Sequence, residues 1–197
     1  MANPLPVLKI GKHAPRYPLI QGGMGVRISG PSLAGAVARA GGIGTIASVG
    51  LAVASDIYNG RNYFEANQVV LRQDVAEAKK SSKGGIIAVN AMVALTDYDL
   101  HVRSACEGGV DMIISGAGLP LKLPELTTGF PDVALVPIVS SVKAASLIIR
   151  RWEKLYGRLP DALVVDEPVF SRARGLCMQA RLNGFRMDGF LERLREP

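Results

Sequence analysis

Short aliphatic runs alternate along the chain with longer stretches of helical periodicity, and a Gly or Ser turn separates most pairs. Residues 17–21 predict a first strand, and residues 32–40 a first helix with Pro31 near its start and Gly41 just past its end. The same alternation predicts further strands at 43–48, 86–91, 112–115, 134–140 and 163–165, with helices at 64–80, 98–107, about 124–128 and 142–156. Runs such as Ile86-Ile87-Ala88-Val89 and Val133-Ala134-Leu135-Val136 are apolar at every position, as parallel strands covered on both faces require. The fold class is therefore α/β, with about five and a half βα units. A doubly wound sheet and a (β/α) barrel share this grammar.

Glycines cluster directly after the predicted strands: Gly22-Gly23-Met24-Gly25, Gly50, and Gly116-Ala117-Gly118. These turns fall at the carboxyl ends of the strands, where α/β folds bind ligands and where a missing Cβ lets backbone N–H groups approach a planar or anionic group. A tight βα turn alone also accounts for any one of them. Neither glycine cluster completes GxGxxG, and the chain has no GxxxxGK[ST], GxSxG or HExxH, so the usual dinucleotide, P-loop, hydrolase and metalloprotease readings lapse.

Asn90 closes an otherwise apolar strand, so its amide contacts either a ligand or the backbone of its own turn. Ser140 and Ser141, with Lys143 close behind, either reach the same ligand or cap the helix that follows. The two histidines supply no base for this edge. His13 precedes the first predicted strand, at the opposite end, and His101 lies in a helix of the outer ring, so both read as surface or interface residues. Cys106 and Cys177 lack metal or disulfide spacing and read as structural or incidental.

Composition changes this picture in one place. Of the net charge of +6, residues 1–167 carry +3 without a basic stripe, and residues 168–197 supply the other +3 from six arginines and three acidic residues, with no lysine. Nucleic-acid binding is not indicated by so unpatterned a tail. No apolar run is long enough to cross a bilayer and no leader is evident, so a cytoplasmic protein is expected.

Pro18-Leu19-Ile20-Gln21-Gly22-Gly23-Met24-Gly25, followed by Ala38-Arg39-Ala40-Gly41-Gly42-Ile43-Gly44, resembles the opening of the nitronate monooxygenase (2-nitropropane dioxygenase) family. Val89-Asn90, the run from Asp111 through Ile114-Ser115-Gly116-Ala117-Gly118-Leu119-Pro120, and Val139-Ser140-Ser141 extend the resemblance over about residues 5–166. It implies an incomplete TIM-type barrel holding FMN, with Gly22, Gly23, Met24, Asn90, Gly116, Gly118, Ser140 and Asp166 as cofactor contacts. It also implies oxidation of an alkyl nitronate by dioxygen to a carbonyl compound and nitrite. Flavin-dependent enoyl-thioester reductases share the architecture and form the alternative, and an inactive fragment without flavin is the third reading.

After Val165 the sequence departs from the family pattern. Where the family runs into Gly-Gly-His, this chain continues Asp166-Glu167-Pro168-Val169-Phe170 and contains no later histidine, so no catalytic residue is assigned. The expected division is a partial barrel and flavin domain at 1–167 and an atypical Arg-rich tail at 168–197, the latter read as the product of a frameshift near residue 166 and capable of forming a helix or two. Unpaired strand edges in an incomplete barrel predict self-association.

Overall fold

The computed structural model describes residues 5–166 and the backbone of Gln179–Ala180. Five parallel strands, β1 (Ile43–Ala47), β2 (Ile86–Met92), β3 (Met112–Gly116), β4 (Ala134–Val139) and β5 (Val164–Val165), lie side by side in chain order. Helices α1 (Pro31–Ala40), α2 (Tyr63–Ser81), α3 (Tyr98–Glu107), α4 (Leu123–Leu126) and α5 (Val142–Tyr156) occupy the chain between the first predicted strand and β5, and a single 3-10 turn, Ala52–Ala54, follows β1. Gln179–Ala180, as β6, pairs antiparallel with β5 where helix was expected. The rest of the tail expectation, including Cys177, lies outside the described residues.

Two separate apolar layers decide between the two architectures the sequence left open. One joins the outward residues of the strands, such as Ile46, Val89, Ile113 and Leu135, to the inward stripes of all five helices. The other contains Ile43, Ala88, Met112, Ile114, Ala134, Val136 and Val164 with Leu8 and Ile10, and no helical residue enters it. Among the described residues helices cover only one face of the sheet, which is half of a barrel rather than a doubly wound sheet. Leu8 and Ile10 close the amino end, where a hairpin pairs Ile10 with His13 through Gly11 at φ +54°.

Local chemistry explains where the elements stop. Gly41 takes a left-handed conformation and its N–H, with that of Gly42, closes the end of α1 on the Ala38 and Val37 carbonyls. Ser141 accepts the Ala144 N–H as N-cap of α5, and left-handed Gly157 ends that helix. Trp152, fully buried in α5, donates its indole N–H to the Pro120 carbonyl at 3.0 Å and so fixes the helix against the loop after β3. Strand starts share a further device. The Asp111 carboxylate accepts the Ile87 N–H and the Asp161 carboxylate the Leu135 N–H, each at 2.8 Å, so each aspartate staggers its strand on the preceding one.

The first predicted strand is shorter than its sequence suggested. Leu19 and Gln21 pair with Ile43 around a single parallel bridge at Ile20, and the ladder goes no further back because the Leu19 N–H turns to the Tyr17 carbonyl at 2.7 Å. Gln21 then extends the pairing with its side chain, donating to the Thr45 carbonyl at 3.0 Å.

Candidate functional site at the carboxyl edge

Strand alternation sends Thr45, Asn90, Met92, Gly116 and Ile138 to the inner face, toward the carboxyl end of the half-barrel. Asn90 lies opposite Ala47 on one side and Ile114 on the other, and Met92 lies opposite Gly116. The Asn90 backbone carbonyl accepts the Ser48 N–H at 3.0 Å. Its side-chain amide is half-buried and makes no hydrogen bond among the described residues, so the own-turn alternative does not account for it. Thr45, wholly buried on the same face, also leaves its hydroxyl unpartnered there.

Gly23 and Asn90 meet directly. A Cβ at Gly23 would stand 2.8 Å from the Asn90 Cβ, so only glycine lets the first loop lie on the asparagine. At Gly116 a Cβ would stand 2.9 Å from the Ile138 Cβ, and Gly118, at φ +138°, lies against Val93. These two glycines are therefore explained in part by packing. Gly22 accepts the Ser29 hydroxyl through its carbonyl, and the exposed Met24 donates its N–H to the same hydroxyl at 2.9 Å. Asp166 is exposed at the end of β5, its N–H bonded to the Val139 carbonyl. Ser140 is exposed, and Ser141 has the capping role rather than a place facing the inner layer.

The loop from Gly22 to Gly30 is strained and firmly tied. Val26 and Arg27 both have positive φ, 52° and 59°, a conformation that costs a non-glycine residue on the order of 1–3 kcal/mol and persists only where surroundings impose it. Val26 donates its N–H to the Val49 carbonyl. Arg27 reaches Asp74 of α2 at 2.8 Å and the Ala54 carbonyl at 3.2 Å. Burial raises the Asp74 carboxyl above the ordinary carboxylate range, and the Arg27 guanidinium opposes that shift without cancelling it. Nothing in the sequence signalled this pair, because its members are distant along the chain and neither belongs to a motif. Met92 was legible in principle, being two residues beyond Asn90 on the same strand.

Both histidines depart from the surface reading. His13 is buried at the amino end, where its Nε2 has no hydrogen-bond partner among the described residues. His101 is buried on α3, its Nε2 2.9 Å from the Asp97 carboxylate and its Nδ1 without a hydrogen-bond partner among the described residues. The reason is periodicity: Tyr98, His101, Val102 and Ala105 share one stripe of α3, and that stripe faces the core. Neither ring reaches the carboxyl edge. Cys106 is also buried, which pushes its thiol up to about 12.

Five parallel strands in chain order with helices on one face among the described residues define the class: a partial TIM-type (β/α) barrel. The family model for nitronate monooxygenase matches residues 7–170, and the chain belongs to that family. No curated protein sequence matches it. Among solved structures, FabK from Thermotoga maritima is similar at 24% identity and a TM-score of 0.57, over 77% of this chain and 40% of that one. The M276A mutant of the same protein gives 23% and 0.58, over 77% and 43%. A nitroalkane oxidase from Streptomyces ansochromogenes gives 16% and 0.32, over 76% and 64%. The chain spans less than half the length of the FabK structures, whose likeness shows the fold. Members of the family are typically FMN flavoproteins.

Proposed function

We propose that residues 1–167 form an FMN-binding unit with its site at the carboxyl edge, built from Gly22, Gly23, Met24, Asn90, Gly116, Gly118, Ser140 and Asp166. The observation that carries this reading is the convergence of Gly23 on Asn90, beside an amide that no described residue satisfies. The polar rim of an isoalloxazine presents adjacent acceptors and an N–H, and an amide answers both. Bound FMN would accept electrons from a reduced substrate and pass them to dioxygen.

The substrate class proposed is an alkyl nitronate. Neither histidine of the chain is at this edge, and a nitronate arrives already deprotonated at carbon, so its binding asks no residue here to remove that proton. The chain's own contributions are then placement and exclusion of water. Met92 and Ile138 supply apolar walls on the inner face, and Asn90 supplies the oriented amide.

The test is anaerobic addition of an alkyl nitronate to the FMN-loaded chain. Bleaching of the visible flavin bands supports the reading. Bleaching by a reduced nicotinamide and recovery with an enoyl thioester would assign the site to the reductase class instead, and no response to either donor would leave a binding unit without turnover.

A further inference from the structure

Two buried polar residues of α2 are unexplained by helix packing alone. Asn67 and Asp74 are seven residues apart, two helical turns, and therefore share one face with the apolar Val70, Leu71 and Ala78. Polar groups in such a stripe are costly to bury unless they are bonded. Each reaches a different carboxyl-end loop. Asn67, wholly buried, accepts the Ala52 N–H at 2.7 Å through its side-chain carbonyl and donates to Asp97 at 3.3 Å, so its amide is fixed from behind by α3. Asp74 holds Arg27 of the glycine loop, and the second arm of that guanidinium bonds the Ala54 carbonyl, which ties the two loops together. The Val26 N–H to Val49 carbonyl bond is a second tie between them.

We propose that α2 clamps the cofactor site: Asn67 and Asp74 are positioning residues that hold the first two carboxyl-end loops in the arrangement that receives the ligand. The strain at Val26 and Arg27 fits this role. A loop needed only to connect two elements takes Gly or Asn at positive φ, whereas here a valine is held there by its bond to Val49 of the next loop and an arginine by its bond to α2. Released from Asp74, the loop relaxes and Gly23 leaves the surface of Asn90. This inference rests on the carboxyl-edge reading above for the identity of the ligand, though not for the existence of the clamp.

The experiment compares the full chain with Arg27→Met, Arg27→Lys, Asn67→Leu and, as a control, Lys79→Met. Lys79 pairs with Asp111 at 2.7 Å near the opposite end of the same helix, so its loss removes an ion pair without touching either loop. Amide exchange of Val26 and Ala52 is measured without ligand, and FMN affinity by quenching of flavin fluorescence. Because affinity falls with the populated fraction of the competent loop, Arg27→Met and Asn67→Leu are expected to weaken FMN by about tenfold or more and to speed exchange at their own loop by a similar factor. Arg27→Lys, which keeps the charge and loses the fork, is expected to fall between Arg27→Met and the parent. Lys79→Met should lower the melting temperature while leaving both readouts unchanged.

Unchanged exchange in Arg27→Met and Asn67→Leu overturns the clamp, as does an equal FMN loss in Lys79→Met, which would reduce the effect to general destabilisation. Faster exchange with undiminished FMN affinity also overturns it as a device for this ligand. If the parent chain binds no FMN, the proposed function fails, and the exchange measurement alone decides whether α2 holds the loops.

Discussion

A methyl group is enough to separate site glycines from packing glycines. At Gly23 it would press on the Asn90 side chain at 2.8 Å, whereas at Gly44 it would stand 1.8 Å from the backbone oxygen of Ala34 in α1. The Asn90 Cβ is fixed by its strand, so relief at Gly23 comes from a shift of the surface loop that carries it, whereas at Gly44 strand backbone meets helix backbone and neither can move. Gly23→Ala is therefore expected to fold with a stability loss of about 1–3 kcal/mol and a clear loss of FMN affinity, while Gly44→Ala yields little folded protein. Circular dichroism melts with parallel flavin titrations check both; equal FMN affinity in Gly23→Ala and the parent would contradict the placement of that loop. Asn90 and the glycine turns were legible because a polar residue closing an apolar strand and glycines after strands are local signals. Arg27, Asp74 and Asn67 were not, since their partners are brought near only by the packing of α2.

At the scale of elements, the buried contact between His101 and Asp97 gives the α2–α3 junction a pH dependence. Burial lowers the His101 pKa from its ordinary value, and the Asp97 charge opposes that shift without reversing it. Below about pH 6.5 the unfolded chain then binds more protons at this residue than the folded one, so the contribution is complete above that pH and declines on acidification. Thermal melts between roughly pH 5 and 8 should show stability lost on the acid side, with a flatter profile for His101→Gln. Identical profiles would mean that the ring titrates alike in both states. The helices themselves were readable to within a residue or two where caps were strong, as at Gly41, Ser141 and Gly157. The first strand was not, because its apolar pattern hid a Leu19 N–H turned back on the Tyr17 carbonyl and a pairing completed by the Gln21 side chain.

The described residues form a curved layer whose first edge, Leu19 to Gln21, has no partner on its far side among them, with Tyr17 and Leu19 exposed beside it. Such an edge is a template for another strand. Sedimentation at increasing concentration is expected to show self-association that Leu19→Lys reduces; a chain that stays monomeric throughout would show the edge to be covered. The architecture was legible from the βα alternation, but the choice of a half-barrel over a doubly wound sheet required seeing that all five helices pack on one face.

The central claim, that these strand ends form a flavin site, is tested most directly by adding FMN to the purified chain, removing the excess on a desalting column and recording the visible spectrum. The account predicts a retained flavin spectrum at about one FMN per chain, reduced in Gly23→Ala. A colourless protein that melts cooperatively with its fold intact would contradict it.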